Sequence, residues 1–451
     1  MTTALALPEI VPDYAETQEF RTVTTRRRGI VAGVVGNMLE WYDFALFGFF
    51  APQIGAHFFP AHSATASTLA AFGTFAAGFV MRPVGGALFG WIGDRYGRKQ
   101  ALIGSVLAMA FPSFFVALLP DVAQIGVLAT VLLVLFRLIQ GIAVGGEYMA
   151  SAVFLVEGAE PGRRGWMGSW GPFGASAGTL LGSAAGALVN LALPPEAVLA
   201  WGWRIPFAVG LLVGLGGLWI RNNYVEHKPQ QEASKSPVAE MFRSHWRTVV
   251  HLLLLTAGVS ISFYTAFVYS ATWLQQIAQV PGSTALGINA IAMGVLLVVN
   301  PISGRLSDRY GRRVLLMAGS AGLALLAYPL MALMARGTFG SILAGEAGLA
   351  LLIGVFGGGL PAAMAELAPW RVRCTVLSVG YNVGVALLGG TTPLVAAWLV
   401  ARSGMILSPA IYLAAGGALA FFAALRFPRL VPHPMTREFS RISLRGGVGD
   451  R

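Results

Sequence analysis

Long apolar runs separated by short polar loops set the pattern of this chain. Each run is about 20 residues or longer, enough to cross a ~30 Å hydrocarbon core as a helix. The runs predict spans at roughly 29–51, 67–92, 101–119, 125–157, 166–192, 204–222, 248–276, 284–305, 314–335, 341–365, 374–401 and 406–427. Strands of a membrane barrel would instead alternate apolar and polar positions over about ten residues. The longest polar interruption, residues 223–247, has six runs before it and six after it. The expected organisation is a tail at 1–28, a six-helix bundle at 29–222, a linker at 223–247, a second bundle at 248–427 and a tail at 428–451.

The two halves echo each other in their polar loops. Gly90-Trp-Ile-Gly-Asp94-Arg95-Tyr-Gly-Arg98-Lys99 and Gly304-Arg-Leu-Ser-Asp308-Arg309-Tyr-Gly-Arg312-Arg313 lie 214 residues apart. Glu157, Pro161 and Arg164 are matched by Glu366, Pro369 and Arg373 with the same Glu-to-Arg spacing. Charged loops recurring at equivalent places point to a duplicated unit. The fold class is all-α and polytopic: twelve transmembrane helices in two pseudo-symmetric six-helix bundles.

Composition agrees, with 56% apolar and 11% charged residues against about 25% charged in a soluble domain. The 57 glycines lie largely inside the apolar runs, where small residues let helices approach. Of the 31 Lys and Arg, 26 fall in the tails and in the loops after even-numbered spans, and three (Arg204, Arg336, Arg402) on the other side. That bias places both termini in the cytoplasm of a bacterial-type inner membrane. It accounts for the net charge of +11 without a nucleic-acid partner. The expected partners are the lipid bilayer, a small-molecule substrate and protons, for a monomer with neither cofactor nor metal. Cys374 stands alone, which excludes an intramolecular disulfide. A phosphate-binding Gly-Lys-Ser/Thr loop is missing, so nucleotide hydrolysis is not indicated.

Ionisable groups inside a membrane span are costly and mark function. Glu40 and Asp43 share one helical face with Asn37 a turn earlier. At about 1.5 Å rise per residue they lie roughly 16 to 21 Å into span one. Glu147 and Arg82 reach comparable depth in spans four and two, and Arg137 sits in the outer half of span four. Burial makes a carboxylate hold a proton, and a neighbouring Arg opposes this. A substrate anion that takes over the Arg would free its acid to bind a proton, coupling the two by linkage. Asp43, Glu147 and Glu40 are the expected proton carriers, and Arg82 and Arg137 the expected substrate contacts. Structural ion pairs joining spans one, two and four are the competing reading. The second half has no comparable mid-membrane charge, with Glu346 expected near the outer end of span ten. Asp94, Arg95, Arg98, Glu157 and Arg164, with Asp308, Arg309, Arg312, Glu366 and Arg373, are expected to form a cytoplasmic latch that breaks as the other end opens.

The Gly-Asp-Arg-Tyr-Gly-Arg loop in both halves resembles the signature of the major facilitator superfamily. Arg137-Leu-Ile-Gln140-Gly141 with Gly145-Gly146-Glu147-Tyr148 is similar to that superfamily's fourth-span motif. Gly36-Asn37-Met-Leu-Glu40-Trp41-Tyr42-Asp43-Phe44, Arg82-Pro83-Val-Gly85-Gly86 and Trp201-Gly-Trp203-Arg204-Ile-Pro206-Phe207 narrow the resemblance to the metabolite:proton symporter family. The resemblance implies a cavity walled by spans one, four, seven and ten, with five, eight and eleven. Asn37, Tyr148, Trp170, Tyr264, Tyr381 and Asn382 are the candidate substrate contacts there. It implies import of a small organic carboxylate by proton symport through alternating access. The alternative within the fold is a zwitterion such as proline or glycine betaine, whose ammonium group aromatic rings could face. An alternative of another class is a cationic drug:proton exporter.

Overall fold

The computed structural model describes residues 23–96, 98–145, 147–160, 162–222, 237–369 and 372–427; the side chains of Asp94, Arg95, Arg98 and Glu147 also lie outside the described residues. Most of the expected tails and linker therefore fall outside them as well. Every expected span is occupied by helix. Span one is Val23–Phe49, span three Arg98–Leu118, span six Arg204–Asn222, span eight Gly282–Tyr310, span nine Arg312–Met334 and span twelve Ser408–Leu425. Span one starts six residues before its apolar boundary, because a helix continues through Arg26-Arg27-Arg28 where the membrane does not. Among the described residues nine helices are long and apolar enough to cross a bilayer, or ten counting one bent pair at span six.

The remaining spans are interrupted, and the interruptions follow from sequence. Span two divides into Ala64–Val80 and Arg82–Tyr96 ahead of Pro83, whose ring cannot continue the hydrogen-bond ladder. Span four runs as Val127–Val144, capped by Gly145, and then as Glu147–Glu157. Span five begins as Arg164–Gly168 and continues as Trp170–Ala192. Span seven runs Trp246–Phe263, a wider π-turn Tyr264–Tyr269, then Ser270–Gln276. Span ten divides at Gly357-Gly358-Gly359 into Phe339–Gly357 and Leu360–Leu367. Span eleven carries a second π-turn, Val385–Gly389, between Arg373–Gly384 and Thr392–Ser403.

Packing repeats with a shift of six. Spans one and five pack together as do seven and eleven; three with six as nine with twelve; two with four as eight with ten. The halves meet chiefly where span five lies along span eight and span two along span eleven. Spans two and four cross backbone to backbone. A methyl group added at Gly85 would overlap the Ile142 carbonyl, one at Gly141 the Gly78 carbonyl, and one at Gly145 the Arg82 carbonyl. Only glycine allows that approach, and it fixes the main chain from which Arg82 and Arg137 project.

Candidate functional site

Between the halves lies a cavity of about 620 Å³. Trp41 of span one and Tyr148 of span four face Phe263 and Tyr264 of span seven and Tyr381 of span eleven across it. The rings form one cluster. Tyr148 and Tyr381 stack with centroids 4.9 Å apart, and Trp41 stacks on Tyr264 at 5.9 Å and meets Phe263 edge-on at 5.3 Å. Polar atoms are few: Ser176, Ser260, Asn300 and the tyrosine hydroxyls. Asn300 donates to the Ser176 hydroxyl at 3.2 Å, joining spans eight and five. No acidic or basic side chain lines this cavity among the described residues. Tyr264, Gly357, Leu360 and Val385 of the lining all belong to helix interruptions. Broken helices at mid-membrane are where transporters expose backbone to a solute, and π-turns gather at functional sites.

Arg82 lies directly behind the wall. It is 1% exposed, its guanidinium carbon is 5.9 Å from the Tyr381 ring centre, and its Nη2 is 3.7 Å from Glu40 Oε1. Its Nε donates to Asn382 Oδ1 at 3.2 Å, while Asn382 Nδ2 donates to the Gly145 carbonyl at 2.6 Å. Asn382 thus ties span eleven to spans two and four and aims Arg82. Tyr381 is the side chain between Arg82 and the cavity.

Asp43 and Arg137 occupy a separate place inside the first bundle. Asp43, 3% exposed, borders a second crevice of about 380 Å³ with Glu40, Ser105, Met109, Gly210 and Gly214. Arg137 is boxed by Phe44, Phe47 and Phe75, with ring centres 4.0, 4.5 and 5.1 Å from its guanidinium carbon. Its Nη1 donates to Gln140, and Gln140 donates to Ser113 beside Asp43. The structure does not bring Arg137 to the cavity, where sequence placed it as a substrate contact, because those three phenylalanines intervene. Asn37 also points elsewhere, donating to Ser151 and to the Gly171 carbonyl and so joining spans one, four and five. Trp170 packs on Trp166 and Phe173, off the cavity. Trp41 and Phe263 were not among the sequence candidates. The signal for Trp41 lay in its position: one residue beyond Glu40 is about 100° round the helix, toward the other half.

At the basic end, two polar contacts join the halves among the described residues. Asp308 accepts hydrogen bonds from the main-chain amides of Gly165 at 2.8 Å and Trp166 at 2.9 Å, where span five begins. Arg373 Nη1 donates to Glu157 Oε1 at 2.7 Å. Arg312 supports Asp308 at 2.8 Å and holds Glu366 through two hydrogen bonds, 3.0 and 3.2 Å. Arg164 lies within electrostatic reach of Glu366 and Glu157. Arg309 packs over its neighbour Tyr310 instead. Gly311, at φ 92°, supplies the left-handed turn that brings Arg312 back onto Asp308. At the opposite end Ser183 donates to the Leu286 carbonyl at 2.8 Å and Gln276 to Thr68 at 3.2 Å. The halves thus touch at both ends, and between them meet through Asn300, Asn382 and the aromatic rings around the cavity.

The family model of the Major Facilitator Superfamily matches residues 33–378. The chain is 35% identical over 403 residues to the proline/betaine transporter of Salmonella typhimurium, covering 86% of this chain and 80% of that one. It is 34% identical over 402 residues to the glycine betaine/proline/ectoine/pipecolic acid transporter OusA of Dickeya dadantii, with the same coverage. Among solved structures it resembles the proton:xylose symporter XylE bound to 6-bromo-6-deoxy-D-glucose, with a TM-score of 0.71 at 18% identity over 91% of this chain and 97% of that one. The partially occluded inward open form of XylE from E. coli gives 0.70 at 17% identity, over 91% and 99%. These likenesses establish the fold.

Proposed function

Because the chain belongs to the Major Facilitator Superfamily, and is thus a multi-pass membrane transporter rather than an enzyme, we propose that it imports a zwitterionic solute of the proline and betaine class together with protons. The observation that carries this reading is the cavity lining: five aromatic rings and no acidic or basic side chain among the described residues. A di- or tricarboxylate brings two or three negative charges, and desolvating them without matching cations is prohibitive. A zwitterion is net neutral. Its quaternary or secondary ammonium is attracted by ring faces, and its single carboxylate needs one partner, Arg82 behind Tyr381. The named relatives support the same class, so the organic-carboxylate expectation gives way to its zwitterion alternative.

The coupling chemistry uses the Arg82–Glu40 pair. A substrate carboxylate that engages Arg82 displaces Glu40, which then takes a proton rather than remain a bare buried anion. Asp43, near Arg137 and reached through its own crevice, holds a coupling proton apart from the solute. Asp308 on the span-five amides and Glu157–Arg373 form the latch of the basic end, which the charge bias assigns to the cytoplasm.

The test is uptake into proteoliposomes with an acidic exterior, comparing labelled proline, glycine betaine, citrate and oxoglutarate with and without a protonophore. Accumulation of proline or glycine betaine that the protonophore abolishes is expected. Accumulation of citrate or oxoglutarate in their place would reinstate the carboxylate reading.

A further inference from the structure

Among the described side chains, the transport reading leaves one buried acid unused. Glu346, two turns into Phe339–Gly357 of span ten, is 0% exposed. Gly345 and Gly348 seat span ten against Leu330 and Met334 of span nine, which turns Glu346 toward span seven. There it meets one polar group, the Ser270 hydroxyl, 3.3 Å from Oε1. Oε2 has no hydrogen-bond partner, and no described cation pairs with Glu346. The elements packed on this part of span ten carry little else that titrates. The outer half of span eight has no acidic or basic residue, and span nine offers only Tyr328 at this depth, half-exposed on the far surface. Span seven contributes Tyr264, turned to the cavity, and Tyr269, packed against Phe72.

The hydrogen count at Ser270 decides what Glu346 is. Ser270 has one hydroxyl proton, and its shorter contact, 2.6 Å, is to the Ala266 carbonyl inside the π-turn. Such a turn frees carbonyls from the helix ladder, and side chains satisfy two of them: Ser270 on Ala266, and Asn289 on Phe267 at 2.8 Å. That one proton cannot serve both the Ala266 carbonyl at 2.6 Å and Glu346 Oε1 at 3.3 Å, so while Ser270 donates to Ala266 it is satisfied by Glu346 only as the neutral, donating acid. Ionising Glu346 in place would set a carboxylate against a lone pair or pull the hydroxyl away from Ala266. Either outcome leaves a buried group unsatisfied.

The π-turn is also where span seven closes on the first half. Beyond Tyr264, Val268 fills the space over Gly48, Tyr269 meets Phe72 and Gln276 reaches Thr68. We infer that Glu346 is a further proton-binding site, in the C-terminal bundle, whose proton holds span seven in the shape that closes the end opposite the Asp308 latch. Opening that end hydrates Glu346, its proton passes to water, and reclosure requires the proton back. Alkaline conditions therefore favour the open form.

This proposal does not depend on which solute is carried, and its test needs none. Thr68→Cys in a Cys374→Ser background is placed in nanodiscs, where both faces are accessible, and its labelling rate with a hydrophilic maleimide is followed from acidic to alkaline buffer. Glu346→Gln keeps a donor for Ser270 without a titrating proton and corrects for the thiol's own ionisation. The labelling rate relative to the Glu346→Gln protein is expected to rise severalfold with pH. Infrared spectra should also show a protonated-carboxyl band that Glu346→Gln lacks. Equal pH dependence in the two proteins, or no difference band, overturns the proposal. Should Glu346→Gln not reach the membrane, Ser270→Ala severs the same link: a flattened pH response supports the proposal and an unchanged one refutes it.

Discussion

Tyr148 from the first half and Tyr381 from the second lie face to face, 17° from parallel, with 4.9 Å between ring centres. They can separate only if the halves move apart, so the wall of the cavity is also a seam of the conformational change. Tyr381 additionally covers Arg82, which makes it the side chain through which solute, cation and movement meet.

Removing a ring should weaken ammonium binding. A desolvated cation–π contact contributes about 0.5–2 kcal/mol. Trp41→Ala and Tyr381→Ala are each expected to raise the KM for glycine betaine roughly 2- to 30-fold, with Trp41→Phe intermediate. Kinetics of labelled uptake decide it, and an unchanged KM in both alanine variants would remove the rings from recognition.

Arg82→Lys should impair solutes according to their carboxylate. Lys has no planar fork and cannot reproduce the Nε bond to Asn382. With a charge-assisted hydrogen bond at about 1.5–3 kcal/mol, affinity for proline is expected to fall roughly 10- to 100-fold. Choline, which has no carboxylate, should compete as before. Competition binding on purified protein separates the two.

Asp43→Asn should uncouple transport without abolishing it. Gradient-driven accumulation is expected to disappear, while counterflow exchange, which needs no net proton release, persists. Full accumulation in this variant would take Asp43 out of the coupling.

Charge reversal should reveal the cross-bundle pair. Glu157→Arg or Arg373→Glu alone places like charges together at the basic end and is expected to slow exchange. The double swap should restore most of the rate. Two single variants that behave like the parent would show that Asp308 suffices to hold that end.

Gly141→Leu should destabilise the first bundle. Its side chain would enter the space of the Gly78 carbonyl, and overpacking of this kind costs about 1–3 kcal/mol. A lower Tm in thermal unfolding is expected, whereas Gly287→Leu, which has open space around it, should leave Tm near that of the parent.

Much of this architecture was legible from periodicity and punctuation. Spans follow from run length, and Pro83, Gly145 and Gly357 lie where helices break. Rotation about each helix was harder. One residue turns a side chain by about 100°, so Glu40 and Trp41, adjacent in sequence, serve different compartments. Arg137 was read as cavity-facing because charge in a membrane suggests function; its phenylalanine box could not be foreseen without knowing which faces meet. Pairing between halves was ambiguous for a related reason. The duplicated loops bring two Glu and two Arg to one end, and sequence separation favours Glu157 with Arg164, whereas Glu157 bonds Arg373 across the seam. The enclosure of Glu346 is equally hidden, since its place along span ten says nothing of the helices packed around it.

The Asp308 contact has an uneven inheritance. Its two donors are peptide groups, present whatever residue occupies Gly165 or Trp166, barring proline. Its acceptor is a single codon. Variation on the span-five side can crowd this joint but cannot erase its chemistry, so any drift in how firmly it holds must be written at Asp308 or at the arginine that steadies it.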